Sequence, residues 1–242
     1  MPGDLSQLFI ALGIFAGAVV SGFTGFAFSA VAGAVLLHVL PPREAVPLMM
    51  VCSVLVQSLS LFSLRRHIEW RGSLRLILGG LAGLPPALYV LLHADPALLR
   101  IGFGIFLAGY AAYMLLRPAV HPFRQAALRY DAVAGLAGGL IGGVTAMPGA
   151  IPAIWCELRG LAKDRQRGLV QPYITAMQIA ALAFLAAQSG ISVGLSSEVL
   201  HSLAPLGAGT MLGLALFGRV SDSQFRRVLL STLMVCGLAY LV

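Results

Sequence analysis

Long apolar runs alternate with short polar segments along the whole chain. Most of these runs hold roughly 20 residues, the length of a helix that crosses the hydrocarbon core of a bilayer. The runs cover residues 5–40, 45–64, 74–92, 101–116, 132–155, 168–188, 203–217 and 228–242, and a polar connection lies at 117–130. This pattern predicts an all-α, polytopic membrane protein.

Two of the runs do not fit single crossings. At about 36 residues, the run at 5–40 is too long for one span at about 1.5 Å per residue. Lys and Arg lie on both sides of 132–155, in 117–130 and in 159–167, and short basic loops stay cytoplasmic. We therefore expect each of these two runs to form a hairpin of two short or half-length helices. In the first hairpin, the sequence SGFTGF at 21–26 marks the turn.

The two hairpins begin two similar halves, 1–116 and 131–242. At a shift of 121 positions, residues of the first half coincide with identical residues of the second: Gly17, Gly22, Thr24, Leu40 and Gln57 with Gly138, Gly143, Thr145, Leu161 and Gln178. Each half then holds one hairpin and three full spans. Because three is an odd number of crossings, the second half has the opposite orientation in the membrane. Inverted repeats with broken helices are typical of transporters, with the site near the midplane where the repeats meet. Both termini are expected in the periplasm and 117–130 in the cytoplasm.

Small and polar residues at the two turns suit an anion. A helix break in lipid leaves backbone groups unpaired, and a helix N-terminus presents free N–H donors with a partial positive charge. Glycines let the backbone approach an anion, and hydroxyls add donors. The expected substrate-binding residues at the turns are Ser21, Gly22, Thr24, Gly25, Gly142, Gly143, Thr145 and Gly149. Small residues also pack membrane helices together, so packing is the alternative for the glycines.

Two glutamines occupy equivalent positions inside apolar spans. Gln57 and Gln178 each place an amide side chain within an otherwise apolar span. Either the amides donate to an anion, or they form hydrogen bonds that hold the halves together. Tyr173 and Ser53 lie on the same spans and are further candidate donors.

Charged residues lie at or beyond the ends of the predicted spans. His38 and Glu157 flank the hairpins and are candidate proton acceptors. Arg43, Arg159 and Arg165 lie near the hairpin mouths, where they either attract anions or set the topology. Because no Lys or Arg lies in the middle of a span, we expect an anion to be held by helix dipoles and neutral donors.

Composition narrows the class of function. With 59% hydrophobic and 10% charged residues, the chain has too little charge to cover a soluble domain. The net charge of +7 lies in short loops, so the expected partner is the lipid bilayer and not nucleic acid. The spans hold no nucleophile–base pair and no metal-ligand set, so no enzyme, cofactor or metal site is expected. The sequence leaves open whether the chain forms a homodimer.

Five short motifs carry a family resemblance. They are GFTGFAF at 22–28, LPPREAV at 40–46, RRHIEWR at 65–71, GGVTAMPG at 142–149 and GLAKDR at 160–165. In this order and spacing they resemble the TauE/SafE family of sulfite and organosulfonate exporters, although Ala27 and Ala146 replace a glycine found in many relatives. The resemblance implies export of a small sulfur-containing anion across a bacterial inner membrane. A transporter of another small solute and a membrane assembly or scaffold protein are the alternatives.

Overall fold

The computed structural model describes residues 2–65, 68–93, 95–116, 129–145, 147–189, 194–239 and 241. Within those residues the chain is all-helical, as the hydrophobic pattern predicts, with ten helices and no strand. The helices are α1 (Pro2–Thr24), α2 (Phe28–Val39), α3 (Pro42–Leu64), α4 (Trp70–His93), α5 (Pro96–Leu116), α6 (Arg129–Thr145), α7 (Ala150–Leu158), α8 (Lys163–Ser189), α9 (Gly194–Phe217) and α10 (Asp222–Ala239). Residues 117–128 of the predicted connection lie outside the described residues.

Several helices have the length and composition of membrane spans. In the described ranges, four helices are long and apolar enough to cross a membrane: Leu5–Thr24, Glu44–Leu64, Trp70–Val90 and Glu198–Phe217. Shorter apolar helices cover Phe28–Val39, Gly104–Leu116 and Tyr130–Val144. The chain is therefore a multi-pass membrane protein, as predicted. One detail differs: α1 has the length of a full span and not of a half-length helix, because the helix continues through Thr24.

The first helix break follows Thr24. Gly25 has a φ of +94°, a conformation that only glycine adopts readily, so the α-helix cannot continue through it. The Thr24 hydroxyl donates to the Val20 carbonyl at 2.9 Å and accepts from the N–H of Ala27 at 3.4 Å. The chain is helical again from Phe28.

The second break separates α6 from α7. Pro148 has no N–H group, so it cannot continue the hydrogen-bond ladder of α6. In α7 the N–H of Ala153 donates to the Gly149 carbonyl at 3.0 Å. Ala146 and the side chain of Thr145 lie outside the described residues.

Glycines let each broken helix cross a long helix of the other sequence half. α1 packs along α9, and α6 packs along α4. A Cβ atom on Gly213 would meet the Val19 carbonyl oxygen, and one on Gly139 would meet the Gly80 carbonyl oxygen. Both crossings therefore bring backbone against backbone, as small residues allow in membrane bundles. The remaining long helices pair as α3 with α8 and α5 with α10.

Candidate functional site

The two helix breaks meet in the interior of the protein. A Cβ atom on Gly149 would lie 2.7 Å from the Cβ of Phe26. Phe26 and Met147, one from each break, are buried in the same apolar cluster as Ile174 of α8. The structure thus brings together two turns that lie more than 100 residues apart in the sequence.

Gln57 connects α3 to the first break. Its side chain is fully buried, and its Nε2 donates to the Gly25 carbonyl at 2.9 Å. Its Oε1 has no hydrogen-bond partner among the described residues. This hydrogen bond lies within the first half and does not join the two halves, and any contact of Gln57 with an anion would use the second N–H of the same amide.

The predicted polar residues of α8 are buried as well. The Tyr173 hydroxyl donates to the Gly135 carbonyl at 2.7 Å, so this donor ties α8 to α6. Gln178 lies further along the same helix with 2% of its surface exposed. Ser53 is buried on α3, one turn before Gln57.

The other predicted glycines contact neighbouring helices. Gly22 lies against α9, Gly143 against α4, and Gly142 against the second break. Ser21 and Thr24 are buried at the end of α1, and the Ser21 hydroxyl has no hydrogen-bond partner within the described ranges. These contacts give Gly22 and Gly143 a packing role, while Gly25 and Gly149 lie at the breaks themselves.

A buried cation lies beside the first break. Arg167, near the start of α8, is 1% exposed, and its Nε is 3.2 Å from the position that a Cβ on Gly25 would take. Its Cζ lies 4.2 Å from the centroid of the Phe217 ring. None of its three guanidinium nitrogens has a hydrogen-bond partner in the part of the chain that the structure describes. The expectation that only neutral donors are available is therefore wrong, because α8 begins at Lys163 and carries Arg167 into the interior.

Gln171 follows Arg167 by one helical turn and is also 1% exposed. Its Nε2 lies 3.6 Å from the position of a Cβ on Gly25, and neither polar atom of its amide has a partner among the residues described. Sequence reasoning misses both side chains, because Arg167 belongs by composition to the basic segment 159–167. Their spacing of four residues is the signal that places them on one helix face.

A narrow cleft separates these side chains from the first break. Its lining consists of Thr24, Gly25, Phe26, Gln166, Arg167, Val170 and Gln171, a set with one cation and no acid. No part of the cleft admits a water-sized sphere. A ligand can therefore enter only after the lining moves apart.

A wider cavity, here called the vestibule, adjoins the cleft. It measures about 370 Å³ and shares Gln166 with the cleft. Its charged lining residues are Glu157, Lys163, Asp222 and Arg226. The Lys163 ammonium donates to the carbonyl of Phe217, the last residue of α9, at 3.1 Å and to that of Val220 in the following turn at 2.6 Å. The vestibule thus approaches the cleft from the end of α8 at which Lys163 lies.

The cations predicted at the hairpin mouths form ion pairs. Arg159 pairs with the buried Asp131 at 2.9 Å, and Arg165 pairs with Glu69. The side chain of Arg43 lies outside the described residues. Arg159 therefore connects the end of α7 to α6, and Arg165 connects α8 to the segment before α4.

The two candidate proton acceptors differ in their surroundings. Glu157 forms an ion pair with Arg226 and accepts a hydrogen bond from the Tyr110 hydroxyl at 2.8 Å. These contacts link α7 to α5 and α10. His38 is exposed near the end of α2.

Comparison with known families identifies the chain. The family model described as Sulfite exporter TauE/SafE matches residues 9–240, which is nearly the whole sequence. The chain therefore belongs to the TauE/SafE family, in agreement with the resemblance of its motifs. No curated protein and no solved structure matches the chain.

Proposed function

We propose that this TauE/SafE family protein exports small sulfur-containing anions, sulfite or an organosulfonate, across the bacterial inner membrane. The anion would pass through a central site between the two helix breaks. The family is one of membrane transporters, and the apolar helices give the chain the build of a multi-pass membrane protein.

The observation that carries the proposal is the contact between the breaks at Phe26 and Gly149. Breaks in membrane helices are costly unless the freed backbone groups find partners or line a polar cavity. Here Gln57 satisfies the Gly25 carbonyl, and the adjoining cleft holds polar side chains. Two interrupted helices that meet beside buried donors form the kind of site that binds anions in transporters.

Reciprocal packing supports two inverted repeats. α1 of the first half packs on α9 of the second, and α6 of the second half packs on α4 of the first. In the order of elements, α1 and α6 begin their halves, and α4 and α9 are the second long helices after each break. The pairings α3 with α8 and α5 with α10 join equivalent helices. Exchange of the halves thus maps these four helix pairings onto one another, which supports a pseudo-two-fold relation between the halves.

The test is the thermal stability of the purified protein against a panel of anions at matched ionic strength. The panel contains sulfite, sulfate, thiosulfate, sulfoacetate and taurine, with chloride as the control. A ligand that binds only the folded state raises the melting temperature by mass action. We expect a concentration-dependent rise for at least one sulfur anion.

A panel in which every sulfur anion behaves like chloride, up to millimolar concentrations, would count against a binding site for these anions. That result would favour a transporter of another solute or the scaffold alternative. The same panel on a Gln57→Ala variant tests whether its amide contributes to binding, because loss of the second N–H would reduce the rise.

A further inference from the structure

Arg167 and Gln171 differ from the other buried polar residues of this protein. The guanidinium and the amide together offer five polar atoms, and none of them has a hydrogen-bond partner among the residues that the structure describes. Both side chains are 99% buried, since each is 1% exposed. Burial of a charge without a partner is strongly unfavourable, so a structural role does not explain the pair.

Other arginines of the described chain show what a structural arginine looks like here. Arg159, Arg165 and Arg226 each form an ion pair with a carboxylate from a different segment of the chain. Arg167 forms no such pair among the described residues and instead lies against the face of the Phe217 ring. A cation over an aromatic face keeps its in-plane N–H donors available for a ligand.

We propose that Arg167 and Gln171 are the side chains that bind the transported oxyanion, at the backbone of the first helix break. This inference rests on the proposed function and extends it to named ligands. Their spacing of one turn on α8 places both side chains on the same face. Each has an atom within 3.6 Å of the position that a Cβ on Gly25 would take. A guanidinium binds two oxygens of one anion through parallel N–H groups, and the Gln171 amide adds a further donor.

The lining of the cleft also selects among sulfur anions. Apart from Arg167, the residues that line the cleft are neutral, and none of them is acidic. A zwitterion such as taurine would bring an ammonium group into a cleft that has no carboxylate to pair with it, and an unpaired buried charge is costly. The cleft therefore favours simple oxyanions such as sulfite over amino-sulfonates.

The route to this pair runs through the vestibule. Gln166 borders both spaces. The Phe217 ring contacts two cations, since its centroid is 4.6 Å from the Lys163 ammonium and 4.2 Å from Cζ of Arg167. Lys163 and Arg167 are one helical turn apart on α8. Lys163 lines the vestibule and Arg167 lines the cleft, so each of the two spaces that Gln166 borders has a cation in its lining.

The experiment measures the affinity for sulfite and for taurine by calorimetry, and the melting temperature without added anions, on the full-length protein in detergent. The variants are Arg167→Met, Arg167→Lys and Gln171→Leu. The matched control is Arg219→Gln, which removes an exposed positive charge and changes the net charge as Arg167→Met does.

We expect Arg167→Met to weaken sulfite binding by about 30-fold or more, because truncation of one partner of a buried charge pair has effects of that size. Gln171→Leu should weaken sulfite binding by about fivefold or more. The sulfite affinity of Arg167→Lys should lie between those of the wild type and Arg167→Met, since lysine keeps the charge but not the paired donors. Without anions, Arg167→Met should melt at or above the wild-type temperature, because it removes an unpaired buried charge. Wild-type protein should prefer sulfite to taurine, and Arg219→Gln should match wild type.

Wild-type affinity for sulfite in Arg167→Met and Gln171→Leu would overturn the inference and leave the proposed function intact. A wild-type protein that binds none of the sulfur anions would overturn both. If Arg167→Met melts well below wild type, Arg167 has a structural role and that part of the inference is wrong. Gln171→Leu keeps the positive charge, so its affinity tests the second ligand even if Arg167→Met does not fold.

Discussion

Gly25 controls both the backbone and the space at the first break. Its φ of +94° ends α1, and its missing side chain leaves room for Arg167 and Gln171. Its carbonyl accepts the hydrogen bond from Gln57. One residue therefore joins the break, the buried amide of α3 and the polar face of α8.

Gly25→Ala should damage the site more than an ordinary glycine substitution. The left-handed conformation costs a residue with a side chain about 1 to 2 kcal/mol, and the added methyl group would press on Arg167. We expect a lower melting temperature and a loss of sulfite binding. Gly207→Ala is the control, because a Cβ there meets nothing within 4 Å in the described structure and alanine favours the helix by about 0.5 to 1 kcal/mol. Equal behaviour of the two variants would show that Gly25 has no special role.

Residue-level prediction from sequence succeeds where the residue type is unusual for its surroundings. Gln57 is recognisable because an amide inside an apolar run needs a partner, and the structure supplies one at the break. Arg167 is missed because its neighbours are charged, and its burial depends on where α8 begins and on what packs over it. Those facts come from tertiary packing, which a single sequence does not report.

The positions of the helices can largely be predicted from the sequence. The apolar runs predict the long helices, and Gly25 and Pro148 explain where two of the runs are interrupted. The length of α1 is not predicted, because the glycines at 17 and 22 are compatible with helix, whereas Gly25 adopts a positive φ. The partners of each helix are not predicted either, since close crossings depend on which glycine faces which backbone.

Gly139→Ala should loosen the crossing of α6 over α4. A methyl group there would meet the Gly80 carbonyl oxygen, so the helices must separate and the second break must shift with α6. We expect a destabilisation of about 1 to 3 kcal/mol, the range for overpacked interiors, measured as a lower melting temperature in detergent. Gly109→Ala on α5 is the control, since a Cβ there has no described atom within 4 Å. A Gly139→Ala protein as stable as Gly109→Ala would contradict the close crossing.

Across the whole molecule, the broken helix of each half packs on a long helix of the other half. This packing brings the two breaks together. The basic segments predict that 65–75, 159–167 and 219–227 face the cytoplasm and that the segments near 41–47 and 93–100 face the periplasm. The same assignment predicts that the two halves have opposite orientations in the membrane.

Labelling of single cysteines in intact cells tests the orientation. In a background without Cys52, Cys156 and Cys236, Leu98→Cys should react with a membrane-impermeant maleimide added outside. Ser223→Cys should react only after the membrane is permeabilised. Both positions are exposed, so access depends on the side of the membrane. Reaction of both positions from the same side would contradict the inverted topology.

Flux of radiolabelled sulfite from proteoliposomes tests whether the helix-break site moves a sulfur anion. We expect saturable efflux above that of protein-free liposomes, lost in Gly25→Ala and retained in Gly207→Ala. Efflux from wild-type proteoliposomes at the protein-free rate would contradict the claim that the protein transports sulfite. Efflux that Gly25→Ala leaves unchanged would contradict the placement of the site at the first break.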